Sequence, residues 1–130
     1  MIVLGLNAFG QKPAACLLRD GHLAAFCQEE RLNRLKGVNA IFPERAVKWC
    51  LTSQGIALGD VDRIALSWDC DKYPWRMLGQ LAMGQARLKP DDSGVRDNSS
   101  SSIAEYLVSW SPDLIRNKVR DSLRSAGMRF

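Results

Sequence analysis

Apolar and polar positions alternate in short blocks through the first third of the chain. Met1-Ile-Val-Leu-Gly-Leu-Asn7 is an apolar run containing one glycine and ending on a polar residue. A second run, Ala14-Ala-Cys-Leu-Leu18, leads through Arg19-Asp20-Gly21 into a third, His22-Leu-Ala-Ala-Phe-Cys27. The Asp-Gly step is a two-residue hairpin signal, because glycine takes the positive φ such turns require. Residues 1–27 therefore read as a three-strand antiparallel meander. Ile2, Val3 and Leu4 are the continuous apolar run expected of a central strand covered on both faces. Residues 28–40 are polar and irregular, with at most a helical turn at 29–36. Pro43 opens a helix at the position where a missing N–H costs nothing. Within it Ala46, Val47, Cys50 and Leu51 recur at helical spacing, and Gly55 ends it. Asp62-Arg-Ile-Ala-Leu-Ser67 gives a fourth strand, parallel to the first after its helical crossover.

Beyond Trp68 the pattern loosens. Asp69-Cys-Asp-Lys-Tyr-Pro74 is a turn-rich exit from the strand, and residues 75–88 read as a helix with Met77, Leu78, Leu81 and Ala82 on one side. Residues 89–102 form a linker with Pro90, Gly94 and four consecutive serines. Ser111 and Pro112 start a last helix, Ile115, Val119 and Leu123 give its stripe, and Gly127 stops it. The expected organisation is an α/β core over 1–69 and a helical extension over 70–130, with a flexible serine-rich loop near 89–102.

The 130 residues, 46% hydrophobic and 25% charged, suffice for one core. No apolar run approaches the ~20 residues of a membrane span, and the start lacks the basic leader of a signal peptide. Cys16, Cys27, Cys50 and Cys70 form no CxxC pair, which suits reduced thiols in a cytoplasmic protein. His22 is the single histidine, it begins a strand after a turn, and zinc is not expected. A net charge of +4 is mild. Residues 111–130 carry five basic side chains against Asp113 and Asp121, which reads as a solvated helix face rather than a nucleic-acid surface.

Three features bear on chemistry. The loop Asn7–Pro13 joins two strands sharply and either presents backbone N–H groups to phosphate or is a plain hairpin; no glycine-rich phosphate fingerprint is present. Glu29, Glu30, Arg31, Arg34 and Lys36 place five charges in eight residues. Such a cluster suits an anionic planar group, held by arginine forks and a lysine point charge while the glutamates fix the bases; local Glu–Arg pairs on a solvated turn are the other reading. Asp69 and Asp71 are explained by a turn, with metal ligation as the alternative. Trp68, Tyr73, Trp75 and Trp110 read as packing residues.

Gly5-Leu-Asn-Ala-Phe, Ala14-Ala-Cys-Leu-Leu-Arg-Asp-Gly21 and Glu29-Glu-Arg-Leu-Asn-Arg-Leu-Lys36 together resemble the N-terminus of the NodU/CmcH-type O-carbamoyltransferases. Phe42-Pro-Glu-Arg-Ala-Val-Lys-Trp-Cys-Leu51 and Leu66-Ser-Trp-Asp69 fit in the same order. The resemblance covers residues 1–69. It implies half of a ribonuclease-H-like, actin-like ATPase domain related to TsaD-type proteins. Family members are several times longer and add a YrdC-like domain. They form carbamoyladenylate from carbamoyl phosphate and ATP, then pass the carbamoyl group to a hydroxyl acceptor. The resemblance also implies a role for Lys36, with Glu30, Arg31 and Arg34, near the ligand's anionic group, and for Asn7 in orienting it. ATP and an iron-type metal, bound through a His-x-x-x-His segment, belong to the full-length family; no metal site or cofactor is expected on this chain. The missing C-terminal part as a separate chain is one implied partner. Two departures stand out. Where family loops carry His-Asp-x-Ser or a close variant, this chain reads Gly10-Gln11-Lys12-Pro13, and neither glycine nor glutamine is a general base near neutral pH. Where histidine often follows the lysine, it has Gly37. The chain is therefore expected to be inactive alone, or to be a degenerate module that binds a nucleotide or a protein without chemistry.

Overall fold

The computed structural model describes residues 1–37, 39–70, 72, 75 and 111–128. Four strands form one mixed sheet: β1 (Ile2–Asn7), β2 (Ala14–Arg19), β3 (His22–Gln28) and β4 (Arg63–Leu66). Their order is β3-β2-β1-β4. β1 pairs with β2 antiparallel and with β4 parallel, so the expected meander and parallel fourth strand are both present. The β2–β3 turn places Asp20 and Gly21 at φ +52° and +82°, the two positive values a tight hairpin needs. A register shift at Leu17/Leu18 leaves Leu18 opposite Leu23 and Leu17 opposite Ala25.

Period-two alternation sorts the side chains of the sheet. Leu4, Leu6, Ala15, Leu17 and Ala25 are buried. They face α2 (Glu44–Ser53), which packs on β2 and β3 and contributes the buried Ala46, Val47, Cys50 and Leu51. Gly55 closes this helix at φ +62°; its N–H meets the Thr52 carbonyl and that of Ile56 reaches Leu51. Burying Val47 and Leu51 of this stripe contributes roughly 1.5–3 kcal/mol each. The other face is less covered. Gly5, Cys16 and Leu18 are half-buried there, and Phe26 is 54% exposed. The expectation that β1 is covered on both faces therefore holds only for its α2 side. β3 is an outer strand of this sheet, and its Leu23 is 63% exposed.

Between β3 and α2 the chain forms α1 (Glu29–Asn33) and a turn. α1 is the single helical turn read from the charged run. It stops at Arg34, which sits in the left-handed region at φ +59° and donates its N–H to the Glu30 carbonyl.

The chain divides into two compact units, Met1–Trp68 with Val119–Phe130, and Asp69–Lys118. In the second, Asp69 accepts from the Lys72 N–H and pairs with its ammonium at 3.1 Å, the turn that the sequence suggests. Trp75 is 72% exposed, contrary to its reading as a packing residue. Asp71, Tyr73, Trp110, residues 76–88 of the helix read over 75–88, and the serine-rich loop lie outside the described residues. The last described helix, α3 (Pro112–Ser125), begins after Ser111 and buries Ile115, Val119 and Leu123 along one side. Gly127 ends it at φ +74°. Among the described residues no helix is long and apolar enough to cross a membrane.

Candidate functional site

The carboxyl ends of the parallel strands β1 and β4 lie side by side, and in α/β sheets that edge is where ligand-binding loops gather. Asn7 ends β1 and Ser67 follows β4. The Ser67 hydroxyl donates to Asn7 Oδ1 at 3.0 Å, tying the two strand ends together. Asn7 Nδ2 donates to the carbonyls of Gln11 and Lys12, both at 2.9 Å. Asn7 thus stands where the sequence places it, with its amide engaged in shaping the loop behind it.

That loop, Asn7–Pro13, is laced to the segment 39–41. Phe9 N–H donates to the Ile41 carbonyl at 3.0 Å and Ala40 N–H to the Gly10 carbonyl at 2.9 Å. Lys12 N–H reaches Asn39 Oδ1 at 3.4 Å, at the long end for a hydrogen bond. Phe9, Lys12 and Ala40 all have φ between +52° and +60°. Such conformations cost non-glycine residues of order 1 kcal/mol each and persist only when surrounding bonds fix them. Gly10 has a packing reason. A Cβ there would lie 2.1 Å from Cζ2 of Trp68, whose indole N–H donates to the Ala8 carbonyl at 3.0 Å. The Trp68 ring occupies the space a side chain at position 10 would need.

The charged run splits into two roles. Glu29 is only 4% exposed. Its Oε1 accepts from the Arg45 N–H at 3.2 Å and its Oε2 from the Ala46 N–H at 2.8 Å. These are the second and third N–H groups of α2, the donors an N-cap side chain ordinarily satisfies. The N-cap here is Pro43, which has no polar side chain to offer, and Glu29 performs the task from another element. Its negative charge also suits the positive end of the helix dipole. The Glu29 N–H donates to the Pro13 carbonyl at 2.9 Å, and Arg45 Nη1 returns to the Leu32 carbonyl at 3.1 Å.

The basic members of the run face outward. Glu30 is half-buried, and Arg31, Arg34 and Lys36 are exposed. Among the described residues the ion pairs are Met1–Asp20, Glu44–Lys48, Asp69–Lys72 and Asp113–Arg116, so none forms within this cluster. The three cations lie on the stretch running from α1 into the segment bonded to the Asn7–Pro13 loop. An anion there would meet positive charge not already neutralised by a neighbouring carboxylate.

On the face of the sheet away from α2 there is a cavity of ≈330 Å³. Gly5, Cys16, Leu18, Phe26 and Ala65 form apolar walls, and Asn7 and Ser67 stand at the strand-end side. A Cβ at Gly5 would lie 2.5 Å from the Cys16 sulfur, so glycine makes room for that thiol. Burial pushes the Cys50 thiol up to about 11 and raises that of Cys27, with Glu29 adding to the latter. Neither is a nucleophile near neutral pH.

Sequence reasoning missed Glu29 as a helix cap, together with Arg45 and Asn39, whereas Trp68, read as a packing residue, does pack against the loop at Gly10. The one signal for the first was a helix starting at proline without a polar cap, next to an unexplained acidic pair.

The class defined so far is an α/β protein whose mixed sheet carries a laced loop pair and a cationic turn at the strand ends. Over 82 residues, 63% of its length, the chain is 38% identical to nodulation protein NolNO of Sinorhizobium fredii, matching 12% of that protein. It is 46% identical over 59 residues, 45% of its length, to an uncharacterized 19.2 kDa protein in the syrM 5′ region of Rhizobium etli, matching 34% of it. An uncharacterized protein of Synechocystis is 42% identical over 62 residues, 48% of this chain and 10% of that protein. The chain thus spans between 10% and 34% of the length of these curated relatives. No family model matches it.

Proposed function

We propose that this chain is the N-terminal α/β part of an O-carbamoyltransferase-like protein, with half of a ribonuclease-H-like sheet. Its turn at Arg31, Arg34 and Lys36 receives the anionic end of carbamoyl phosphate or of a nucleotide. The observation that carries this reading is the outward cationic turn, with no ion pair among the described residues to neutralise it, beside the strand-end loops. The similarity to a nodulation protein over 82 residues supports it. Arginine forks bind planar oxyanions bidentately, and Lys36 adds a point charge that stabilises negative charge electrostatically. Asn7 contributes by fixing the loop against which the ligand lies.

The chain alone does not complete the transfer. No side chain at Gly10 can act as a base, because the Trp68 ring fills that space. The apolar sheet face with its cavity suits a further segment of a longer or split enzyme, which would bring the metal, the rest of the ATP site and the acceptor site. Four cysteines without a disulfide fit a cytoplasmic setting.

Calorimetric titration with carbamoyl phosphate tests the reading. Saturable binding that weakens in Arg31→Ala, Arg34→Ala and Lys36→Ala, without ATP turnover, is the expected result. Turnover by the isolated chain, or binding indifferent to all three substitutions, would contradict it.

A further inference from the structure

Glu29 is the one charged residue counted as buried among the described residues, and its carboxylate bonds to no side chain. It is held by two backbone N–H groups of α2, while its own N–H holds the end of the Asn7–Pro13 loop. Arg45, whose N–H it accepts, reaches back to the Leu32 carbonyl at the last turn of α1. Three elements therefore meet on one residue: the strand-end loop, the helix that carries Arg31, and the first turn of α2. An ordinary N-cap at position 43 would satisfy the same N–H groups of α2, but would leave α1 tied to that helix only through the Arg45–Leu32 bond.

We infer that Glu29 is a positioning residue that sets the cationic turn Arg31–Lys36 against the Asn7–Pro13 loop. It touches no ligand itself. The inference rests on the anion-binding role proposed above for that turn, and extends it to the residue that fixes the turn's place. A carboxylate suits the task because both its oxygens accept at once. Glutamine offers one acceptor and turns an N–H₂ group toward the second N–H, so one of the two ties is lost.

The test separates positioning from helix stability. In Glu29→Gln, amide exchange at Arg45 and Ala46 quickens, amide shifts over 30–36 move, and carbamoyl phosphate affinity falls about tenfold. Val47→Ala, a core change in α2, lowers the melting temperature without changing that affinity. Adding Pro43→Ser to Glu29→Gln supplies a local N-cap; because Pro43 is fully buried, the melting temperature is compared with that of Pro43→Ser alone, and neither the shifts nor the affinity return. Recovery of both affinity and shifts in the double variant would overturn the inference, since Glu29 would then be a helix cap alone. So would a Glu29→Gln protein with unchanged affinity and unchanged shifts at 30–36. Absence of carbamoyl phosphate binding by the native chain would sink the proposed function, and the shifts at 30–36 in the single and double variants would still decide the positioning role.

Discussion

Substituting alanine at Gly10 should destabilise the protein by about 1–3 kcal/mol, the usual cost of overpacking a filled site. The added methyl would stand 2.1 Å from Cζ2 of Trp68 and 3.0 Å from Cη2. Carbon atoms rest comfortably near about 3.5–4 Å, so the ring or the loop must retreat by more than an ångström. Neither moves cheaply. The indole is held by its bond to the Ala8 carbonyl, and the loop by the Ala40 bond to the Gly10 carbonyl. Losing one of these adds about 0.5–1.5 kcal/mol. Urea denaturation of four proteins closes the cycle: native, Gly10→Ala, Trp68→Ala and the double variant. With the ring gone, alanine at position 10 should cost close to nothing, giving a coupling of about 1–3 kcal/mol. Strict additivity would refute the claim that Trp68 is what excludes a side chain at position 10. In the same cycle Gly10→His should be tolerated only once Trp68 is removed.

Three further outcomes follow from particular contacts. Asn7→Ala removes two donated bonds and one accepted bond, and should cost about 1–3 kcal/mol in urea melts; Asn7→Asp should cost more, because a carboxylate cannot donate to the Gln11 and Lys12 carbonyls. Because Cys50's thiol is raised by burial from 9.0 to about 11, the folded state holds its proton longer than the unfolded chain. Its contribution to stability is then complete below pH 9 and is lost as pH rises through about 11; the decline should vanish in Cys50→Ala, and an equal decline in that variant would contradict this assignment. Phe26→Ser should reduce any concentration-dependent association seen by analytical ultracentrifugation, since Phe26 is 54% exposed on the open sheet face; unchanged association would place the contact elsewhere.

The sheet could be read in the sequence because its signals are local. Ile2–Leu6 supplies the central strand, Asp20-Gly21 the turn with two positive φ values, and Pro43 with Gly55 brackets a helix whose stripe is complete within six residues, Ala46 to Leu51. The site was legible only as a cluster of charge. What sorts that cluster lies far along the chain: Glu29 meets N–H groups 16 and 17 residues away. The reason for Gly10 is the Trp68 ring, and the reason for the loop's shape is the segment 39–41, where Ala40 adopts a positive φ that composition does not forecast. The ligand-orienting role of Asn7 came from the family resemblance; what the hydrogen bonds add is the loop it supports.

The most direct test of the central claim is a nitrogen–proton NMR titration of the 130-residue chain with carbamoyl phosphate. The account predicts saturable shifts concentrated at Arg31–Gly37 and in the Asn7–Pro13 loop, abolished when Arg31, Arg34 and Lys36 are replaced together by alanine. Shifts centred elsewhere, or unchanged in that triple variant, would contradict it.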